Sequence, residues 1–259
     1  MSKPSQNVGG GSAITGRVDW TVALAIILLA AIAAFIQALS GFGFSLFIVP
    51  FLALIIGPKD TVLLANLLST FSGVFQTAHL RHEAERPTAL ILMAGSFVGM
   101  PIGLAVLLLV DAHTLQLIIA GMVILFTLLL MRGLALHSAG LFGDLAAGVT
   151  SGILNTSTSM SGPPVVLYLQ GRRMPPLHFR ATTSMFFCVT SFVAVALLIA
   201  TGNAKPYVFG AFALALPAVL LGQRAGNLMF KRVDVVFFRR MVYTILLVSG
   251  AVAIVGTLV

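Results

Sequence analysis

The sequence predicts an all-α protein that crosses a membrane many times. Of its 259 residues, 59% are hydrophobic and only 8% are charged, and the mean hydropathy is +1.07. A soluble domain carries about 25% charged residues, so almost nothing in this chain remains for a soluble domain. Glycine, proline and hydroxyl residues also interrupt an apolar segment in each half, which is typical of transporters. We expect about 8–10 membrane segments.

The chain divides into a tail, two membrane repeats and a linker. Residues 1–18 are polar and rich in Gly and Ser, which predicts a disordered tail. The first repeat is predicted over residues 19–132, a linker over 133–138 and the second repeat over 139–259. The apolar runs cover residues 20–39, 44–56, 61–79, 88–110, 114–132, 139–155, 163–170, 179–200, 206–229 and 236–258.

The first run is predicted to stay in the mature protein as a membrane helix. A cleaved signal peptide has an apolar core of roughly 7–15 residues, and the run over residues 22–39 is longer. It also leads directly into the first of the two breaks.

The two breaks are predicted at residues 40–43 and at residues 155–164. The apolar arms that follow them, 44–56 and 163–170, are shorter than the 17–25 residues of an ordinary crossing. Each arm is therefore either the returning half of a helical hairpin or the second half of a long broken helix.

The distribution of the 15 Lys and Arg residues favours hairpins. If each broken segment crosses once, one face collects six cations and the other nine. If each doubles back, one face keeps only Lys3, Arg17, Lys59 and Lys205, and the other holds eleven. The positive-inside rule favours the more asymmetric arrangement. It places both termini outside the cytoplasm and inverts the halves relative to each other.

The two halves also repeat each other in smaller features. Each has a proline-bearing loop after the short arm, at Pro58 and at Pro175 and Pro176, followed by a helix with inward-facing polar residues. Each later carries two glycines four residues apart, Gly99 with Gly103 and Gly222 with Gly226. Small residues at this spacing let membrane helices approach closely. We expect these glycines to pack within one protomer, and a monomer or a homodimer fits the sequence.

Several function classes fit the sequence poorly. The net charge is +8, but the cations lie in short loops between apolar runs, so they indicate membrane orientation rather than nucleic-acid binding. The single cysteine, Cys188, excludes an intrachain disulfide and a cysteine-based metal cluster. No P-loop, His-x-x-x-His or paired-carboxylate pattern occurs. We therefore expect no cofactor, no metal and no enzymatic activity.

The residues around the breaks resemble a known family. Residues 41–50 read GFGFSLFIVP, and residues 161–168 repeat the pattern loosely as SGPPVVLY. These motifs resemble those of the TauE/SafE sulfite exporter family, and the resemblance extends over the chain from about residue 20. It implies a bacterial inner-membrane transporter that exports sulfite, organosulfonates or related small anions. The second break is rich in Ser and Thr where the family often has glycine, so the resemblance leaves the substrate open.

The predicted binding site consists of the breaks and of polar residues near them. A helix that begins inside the membrane leaves backbone N–H groups free and carries a partial positive charge, which suits an oxyanion. Hydroxyl and amide side chains add donors, glycines let the backbone approach, and an arginine attracts the anion. The predicted substrate-binding residues are Gln37, Ser40, Gly41, Gly43, Ser45, Asn66, Asn155, Thr158, Ser161, Gly162, Arg180 and Ser184.

The preferred hypothesis is a secondary transporter that exports a small sulfur-containing anion by alternating access. A permease for another organic anion, or an importer, is the nearest alternative. A membrane enzyme acting on lipid head groups would need the acid, base or metal ligands that only His79, His82, Glu83 and Glu85 offer as a group. A scaffold that requires a partner protein ranks last, because the loops are small.

Overall fold

The protein is helical throughout the part that the computed structural model describes, which is residues 20–133, 140–172, 174–230, 244, 247 and 250. Those residues form nine helices and no strand, which confirms the all-α prediction. The helices are α1 Trp20–Ser40, α2 Phe44–Ile56, α3 Pro58–Leu80, α4 Arg86–Leu109, α5 Ala112–Met131, α6 Leu141–Thr158, α7 Gly162–Gly171, α8 Pro176–Ala200 and α9 Pro206–Met229. The predicted tail, residues 134–138 of the linker and most of the segment 236–258 lie outside the described residues.

Six of the described helices are long and apolar enough to cross a bilayer: α1, α3, α4, α5, α8 and α9. Large apolar side chains on them remain exposed, including Leu24 and Leu28 on α1 and Phe192 on α8. Such a surface suits lipid rather than water. The prediction of a multi-pass membrane protein is confirmed.

The first break lies at the predicted position and depends on two glycines. Helix α1 ends at Ser40, and Gly41 and Gly43 then take φ values of +82° and +95°, which L side chains rarely adopt. The Ser40 hydroxyl donates to the carbonyls of Ile36 at 2.8 Å and Phe42 at 2.6 Å. The Ser40 side chain therefore links the last turn of α1 to the break.

The second break is shorter than the sequence predicts. Helix α6 continues to Thr158 and α7 begins at Gly162, so only residues 159–161 separate them. The chain turns at Ser159, whose φ is +60°. The predicted beginning of the break is wrong, because Asn155 lies inside α6. The two prolines lie in the first turn of α7, in agreement with the apolar arm predicted over residues 163–170.

The helices run between two ends, which we name after their cations. At the lysine end, Lys59 donates to the Leu108 carbonyl at 3.4 Å, and Lys205 pairs with Asp60 at 2.8 Å. This end therefore contains the beginnings of α3 and α9 and the end of α4.

At the arginine end, Arg172 donates to the Thr88 hydroxyl at 3.1 Å, and Arg180 donates to Asn227 at 2.8 Å. The Glu85 N–H donates to the Thr182 hydroxyl at 3.0 Å. This end contains the beginnings of α4 and α8 and the ends of α7 and α9.

The short helices α2 and α7 each run back toward the end of the protein at which the preceding helix begins. The Tyr168 hydroxyl on α7 donates to the carbonyl of Gly140, just before α6, at 3.4 Å, and Arg172 pairs with Asp144 on α6 at 3.1 Å. Helix α6 therefore begins, and α7 ends, at the arginine end. Helix α1 runs parallel to α9, because Gly222 lies on Ala31 and Gly226 on Phe35. Helix α1 therefore begins, and α2 ends, at the lysine end, where α3 begins.

The closest helix packing joins one half to the other. On α4, Gly95, Gly99 and Gly103 lie against the backbone of α6, and on α6 Gly148 and Gly152 lie against α4. The glycine pair of α9 packs in the same way on α1. The predicted glycine pairs thus serve contacts within the protomer, as small residues do where membrane helices approach closely.

The described cations separate between the two ends as the hairpin arrangement predicts. Lys59 and Lys205 lie at the lysine end. The arginine end has Arg81, Arg86, Arg132, Arg172, Arg180 and Arg224, as the ends and directions of their helices show. The other cations, which are Lys3, Arg17, Arg173, Lys231, Arg232, Arg239 and Arg240, lie outside the described residues. That the arginine end faces the cytoplasm stays a prediction from the positive-inside rule.

Candidate functional site between the two breaks

The two breaks meet inside the protein. The Ser159 hydroxyl of the second break contacts the Ser45 hydroxyl at the beginning of α2, with 3.3 Å between the oxygens. A small cavity lies beside this contact and is enclosed by α1, α2, α3, α7 and α8. It is lined by Gln37, Phe42, Gly43, Phe44, Ser45, Leu46, Ser69, Ser161, Gly162, Pro163 and Phe187.

The beginning of α2 provides backbone donors to this cavity. The first N–H bonded in the helical pattern is that of Phe47, which donates to the Gly43 carbonyl at 3.0 Å. The N–H groups of Phe44, Ser45 and Leu46 donate to no group in the part of the chain that the structure describes, and no side chain caps this helix. Together with the partial positive charge of a helix N-terminus, they favour a bound anion.

The beginning of α7 offers fewer donors. Pro163 and Pro164 occupy its second and third positions and have no N–H group, so Gly162 provides the single N–H of its first three residues. The sequence predicts equivalent breaks in the two halves. In the structure, α2 provides most of the backbone donors, while α7 contributes its dipole and one N–H.

A chain of amides and hydroxyls supports the cavity from behind. Gln37, only 1% exposed, accepts a hydrogen bond from the Ser72 hydroxyl at 2.6 Å. Gln223 on α9 donates to that hydroxyl at 2.9 Å and to the Ser72 carbonyl at 2.6 Å. The one bond to Oε1 fixes the Gln37 amide and leaves its Nε2 available to a solute. The sequence analysis missed Ser72 and Gln223, which belong to no motif.

Hydroxyl groups and aromatic rings form the remaining wall. Ser161 lines the cavity, and its carbonyl accepts a hydrogen bond from Ser151 at 2.6 Å. Ser69 pairs with Ser191 across α3 and α8 at 3.3 Å. The rings of Phe42, Phe44 and Phe187 were not predicted, because phenylalanines on membrane helices carry no distinctive signal in a sequence this apolar.

The cavity is narrow in this conformation. Its volume is about 20 Å³, which is room for roughly one water molecule. An anion with several oxygens needs the surrounding helices to move apart.

The predicted site residues divide into two groups. Gln37, Gly43, Ser45, Ser161 and Gly162 line the cavity. The other seven lie elsewhere, and their predicted role in binding stays a prediction. They are Ser40, Gly41, Asn66, Asn155, Thr158, Arg180 and Ser184.

Some of these seven residues hold the breaks in place. The Ser40, Thr158 and Ser184 hydroxyls donate to carbonyls of their own helices. Gly41 lies so close to α8 that an added Cβ would be 3.0 Å from the Arg180 Cα, and its carbonyl accepts a bond from Thr183 at 3.0 Å. These residues therefore position the first break against α8.

Asn66 and Asn155 meet between α3 and α6. Both are completely buried, and the Asn66 side chain donates to the Asn155 carbonyl at 3.3 Å. Among the described residues, the Asn66 Oδ1 and both polar atoms of the Asn155 side chain have no hydrogen-bond partner. Asn66 is one turn from Ser69 along α3, so these amides lie close to the cavity without lining it.

The described cavity wall contains no charged side chain. Arg180 comes closest to the first break, but its guanidinium donates to Asn227 and lies 4.0 Å from the centre of the Phe230 ring. Neutral donors and helix dipoles therefore account for the electrostatic character of the cavity.

Among the described residues, no group of three His, Cys, Asp or Glu residues could hold a metal ion. Within the loop considered for enzymatic chemistry, Glu83 lies 3.7 Å from His178, and Glu85 accepts a hydrogen bond from Thr88. Both carboxylates thus contact the beginning of a neighbouring helix.

Comparison with known proteins identifies a family. The family model described as "Sulfite exporter TauE/SafE" matches residues 26–253. A curated relative, the probable inner membrane transporter protein TsaS of Comamonas testosteroni, is 28% identical over 100 residues. That alignment covers 38% of this chain and 42% of the relative, so it spans less than half of either protein. No solved structure matches the chain.

Proposed function

The chain belongs to the TauE/SafE sulfite exporter family, and from this premise we propose that it exports a small sulfur-containing anion by alternating access. Membership makes the chain a membrane transporter of the sulfite exporter type, and it confirms the prediction that the chain is not an enzyme. The proposed substrate is sulfite or an organosulfonate. The proposed location is the bacterial inner membrane, with the arginine end facing the cytoplasm.

One observation carries the proposal: two helices begin inside the membrane, at one buried cavity between the two halves. The free N–H groups of Phe44, Ser45 and Leu46 are suited to the oxygens of an oxyanion. The Ser161 hydroxyl and the Gln37 amide line the same space. Broken helices at the interface of inverted repeats are a common form of transporter binding site.

The packing of the halves supports inverted repeats. The hairpin α1–α2 begins and ends at the lysine end, and the hairpin α6–α7 begins and ends at the arginine end. Helix α9 packs on α1 as α4 packs on α6. Because the cavity holds roughly one water molecule, we interpret this conformation as occluded. Opening at either end would then give the two states of alternating access.

A permease for another organic anion remains the second candidate. The neutral cavity favours this alternative because backbone N–H groups donate to carboxylate and sulfonate oxygens alike. Thermal stabilisation of the purified protein by a panel of sulfite, sulfoacetate, taurine and carboxylates distinguishes the two. A ligand at 100 times its dissociation constant stabilises by about 2.7 kcal/mol.

Replacing Ser161 by Ala should weaken this stabilisation, because the variant removes a hydroxyl donor from the cavity wall. A hydrogen bond to a charged group contributes about 1.5–3 kcal/mol, so we expect the dissociation constant of the best sulfonate to rise at least tenfold. Thr127→Val is the matched control, since that buried hydroxyl lies outside the predicted site and donates to the Val123 carbonyl of its own helix at 2.6 Å. Equal affinities in the two variants would remove Ser161 from the site.

Export through such a carrier should follow the membrane potential without a coupling ion. An anion that leaves a negative-inside compartment gains about 2.3 kcal/mol per charge per 100 mV. Efflux of a radiolabelled sulfonate from proteoliposomes at fixed pH should therefore rise when a negative-inside potential is imposed with potassium and valinomycin. Efflux that ignores the potential and follows a proton gradient would contradict this mechanism.

A further inference from the structure

A second and larger cavity lies at the lysine end. Its volume is about 270 Å³, compared with about 20 Å³ for the cavity between the breaks. It lies between the beginning of α3, the C-terminal ends of α4 and α8, and the segment before α9. It is lined by Lys59, Asp60, Leu63, Leu107, Leu108, Leu198, Thr201, Asn203, Ala204 and Lys205.

The charges of this cavity leave one cation unbalanced. Asp60 pairs with Lys205 at 2.8 Å and also accepts a hydrogen bond from the Tyr207 hydroxyl. Lys59 has no carboxylate partner in the described part of the chain and contacts only the Leu108 carbonyl, at 3.4 Å. Two lysines and one aspartate give the cavity a net positive charge.

Helix α8 reaches both cavities. Phe187 lines the cavity between the breaks and Leu198 lines this one, on the same face of α8 and about 17 Å apart at 1.5 Å per residue. The larger cavity therefore lies on the lysine-end side of the cavity between the breaks.

From these observations we infer that the cavity at the lysine end is a second binding site for small oxyanions, held between Lys59 and Lys205. Lys205 already pairs with Asp60, so an anion competes with that carboxylate for the ammonium group. The ion pair joins the beginning of α3 to the segment before α9, and the two belong to different halves. Binding therefore weakens a contact between the two halves at the lysine end. This inference rests on the proposed function, because the anion is taken to be of the transported class.

Two variants should shift the affinity of this site in opposite directions. Lys59→Gln removes the unbalanced cation, and we expect the half-maximal concentration of methanesulfonate at the site to rise several-fold. Asp60→Asn removes the competing carboxylate and frees Lys205, so that concentration should fall several-fold. Both shifts should shrink at high salt, because exposed charges are screened.

The measurement is protection of lysines from an impermeant acylating reagent on proteoliposomes, read by mass spectrometry. Lys59 acylation in the wild type and in Asp60→Asn, and Lys205 acylation in Lys59→Gln, are followed against methanesulfonate. Chloride at equal ionic strength is the control. Protection that does not distinguish methanesulfonate from chloride, or variants that leave the half-maximal concentration unchanged, would overturn the inference.

A variant of the cavity between the breaks separates this inference from the proposed function. Ser161→Ala should weaken sulfonate-dependent stabilisation and keep the protection of Lys59. If the wild-type protein transports sulfonates while Lys59 shows no specific protection, the second site is refuted and the proposed function stands. If Lys59 is protected and no sulfur-containing anion is transported, the proposed substrate class is refuted instead.

Discussion

Replacing Gly152 by Ala should destabilise the folded protein by at least about 3 kcal/mol, at the upper end of the usual cost of overpacking. A Cβ at this position would lie 2.0 Å from the Ser96 carbonyl oxygen on α4. That oxygen belongs to backbone, so α4 and α6 would have to separate to admit the methyl group. On α4, Gly99 faces the same restriction, with 2.1 Å to the Val149 carbonyl oxygen.

Gly121→Ala provides the matched control for this prediction. Gly121 lies within α5, and a Cβ there would have no neighbour within 4 Å. Because Gly in a helix is less favourable than Ala by roughly 0.5–1 kcal/mol, this variant should be neutral or slightly more stable. The melting temperature of the detergent-purified variants measures the difference. If Gly152→Ala had the same melting temperature as Gly121→Ala, α4 and α6 would not pack as closely as described.

Replacing Gln37 by Leu should reduce sulfonate transport at least tenfold while the protein still folds. The amide lines the cavity and accepts a bond from Ser72. A hydrogen bond to a charged group contributes about 1.5–3 kcal/mol, and about 1.4 kcal/mol corresponds to a factor of ten. Ser72 keeps its two bonds from Gln223 in this variant, so the support behind the cavity remains.

Gln76→Leu distinguishes the loss of a site from the loss of a buried amide. Gln76 is 1% exposed, as Gln37 is, but neither of its amide atoms has a hydrogen-bond partner among the described residues. A buried polar group without a partner costs about 1–3 kcal/mol, so this variant should transport normally and melt at a higher temperature. If both glutamine variants lost transport equally, the assignment of Gln37 to the site would fail.

The first break could be predicted from the sequence because its cause is local. Gly41 and Gly43 are the residues with positive φ, and glycine is the residue that tolerates this conformation. The bounds of α2 agree with the predicted run of residues 44–56 for the same reason.

The second break could not be placed from composition because its Ser and Thr hydroxyls can donate either to a solute or to a backbone carbonyl of their own helix. Thr156, Ser157 and Thr158 were interpreted as irregular backbone with exposed donors. In the structure each donates to the carbonyl four residues earlier in α6, as hydroxyl residues do within helices. The helix therefore continues through them, and the turn is left to Ser159.

The candidate site was predicted in part for a related reason. The residues adjoining the breaks, such as Gly43 and Ser161, line the cavity because chain connectivity places them there. Ser72 and Gln223 come from helices far apart in sequence and meet only through tertiary packing. The pairing of Asp144 with Arg172 was not predicted either, because it depends on α7 returning beside α6.

The pairing of α1 with α9 has a consequence for the order in which the protein matures. The ribosome makes Gly222 long after its neighbour Ala31. At about 5–20 residues per second, α1 waits on the order of 10–40 s for the helix that covers its small residues. The helices between them are therefore made before this contact between the two halves can form.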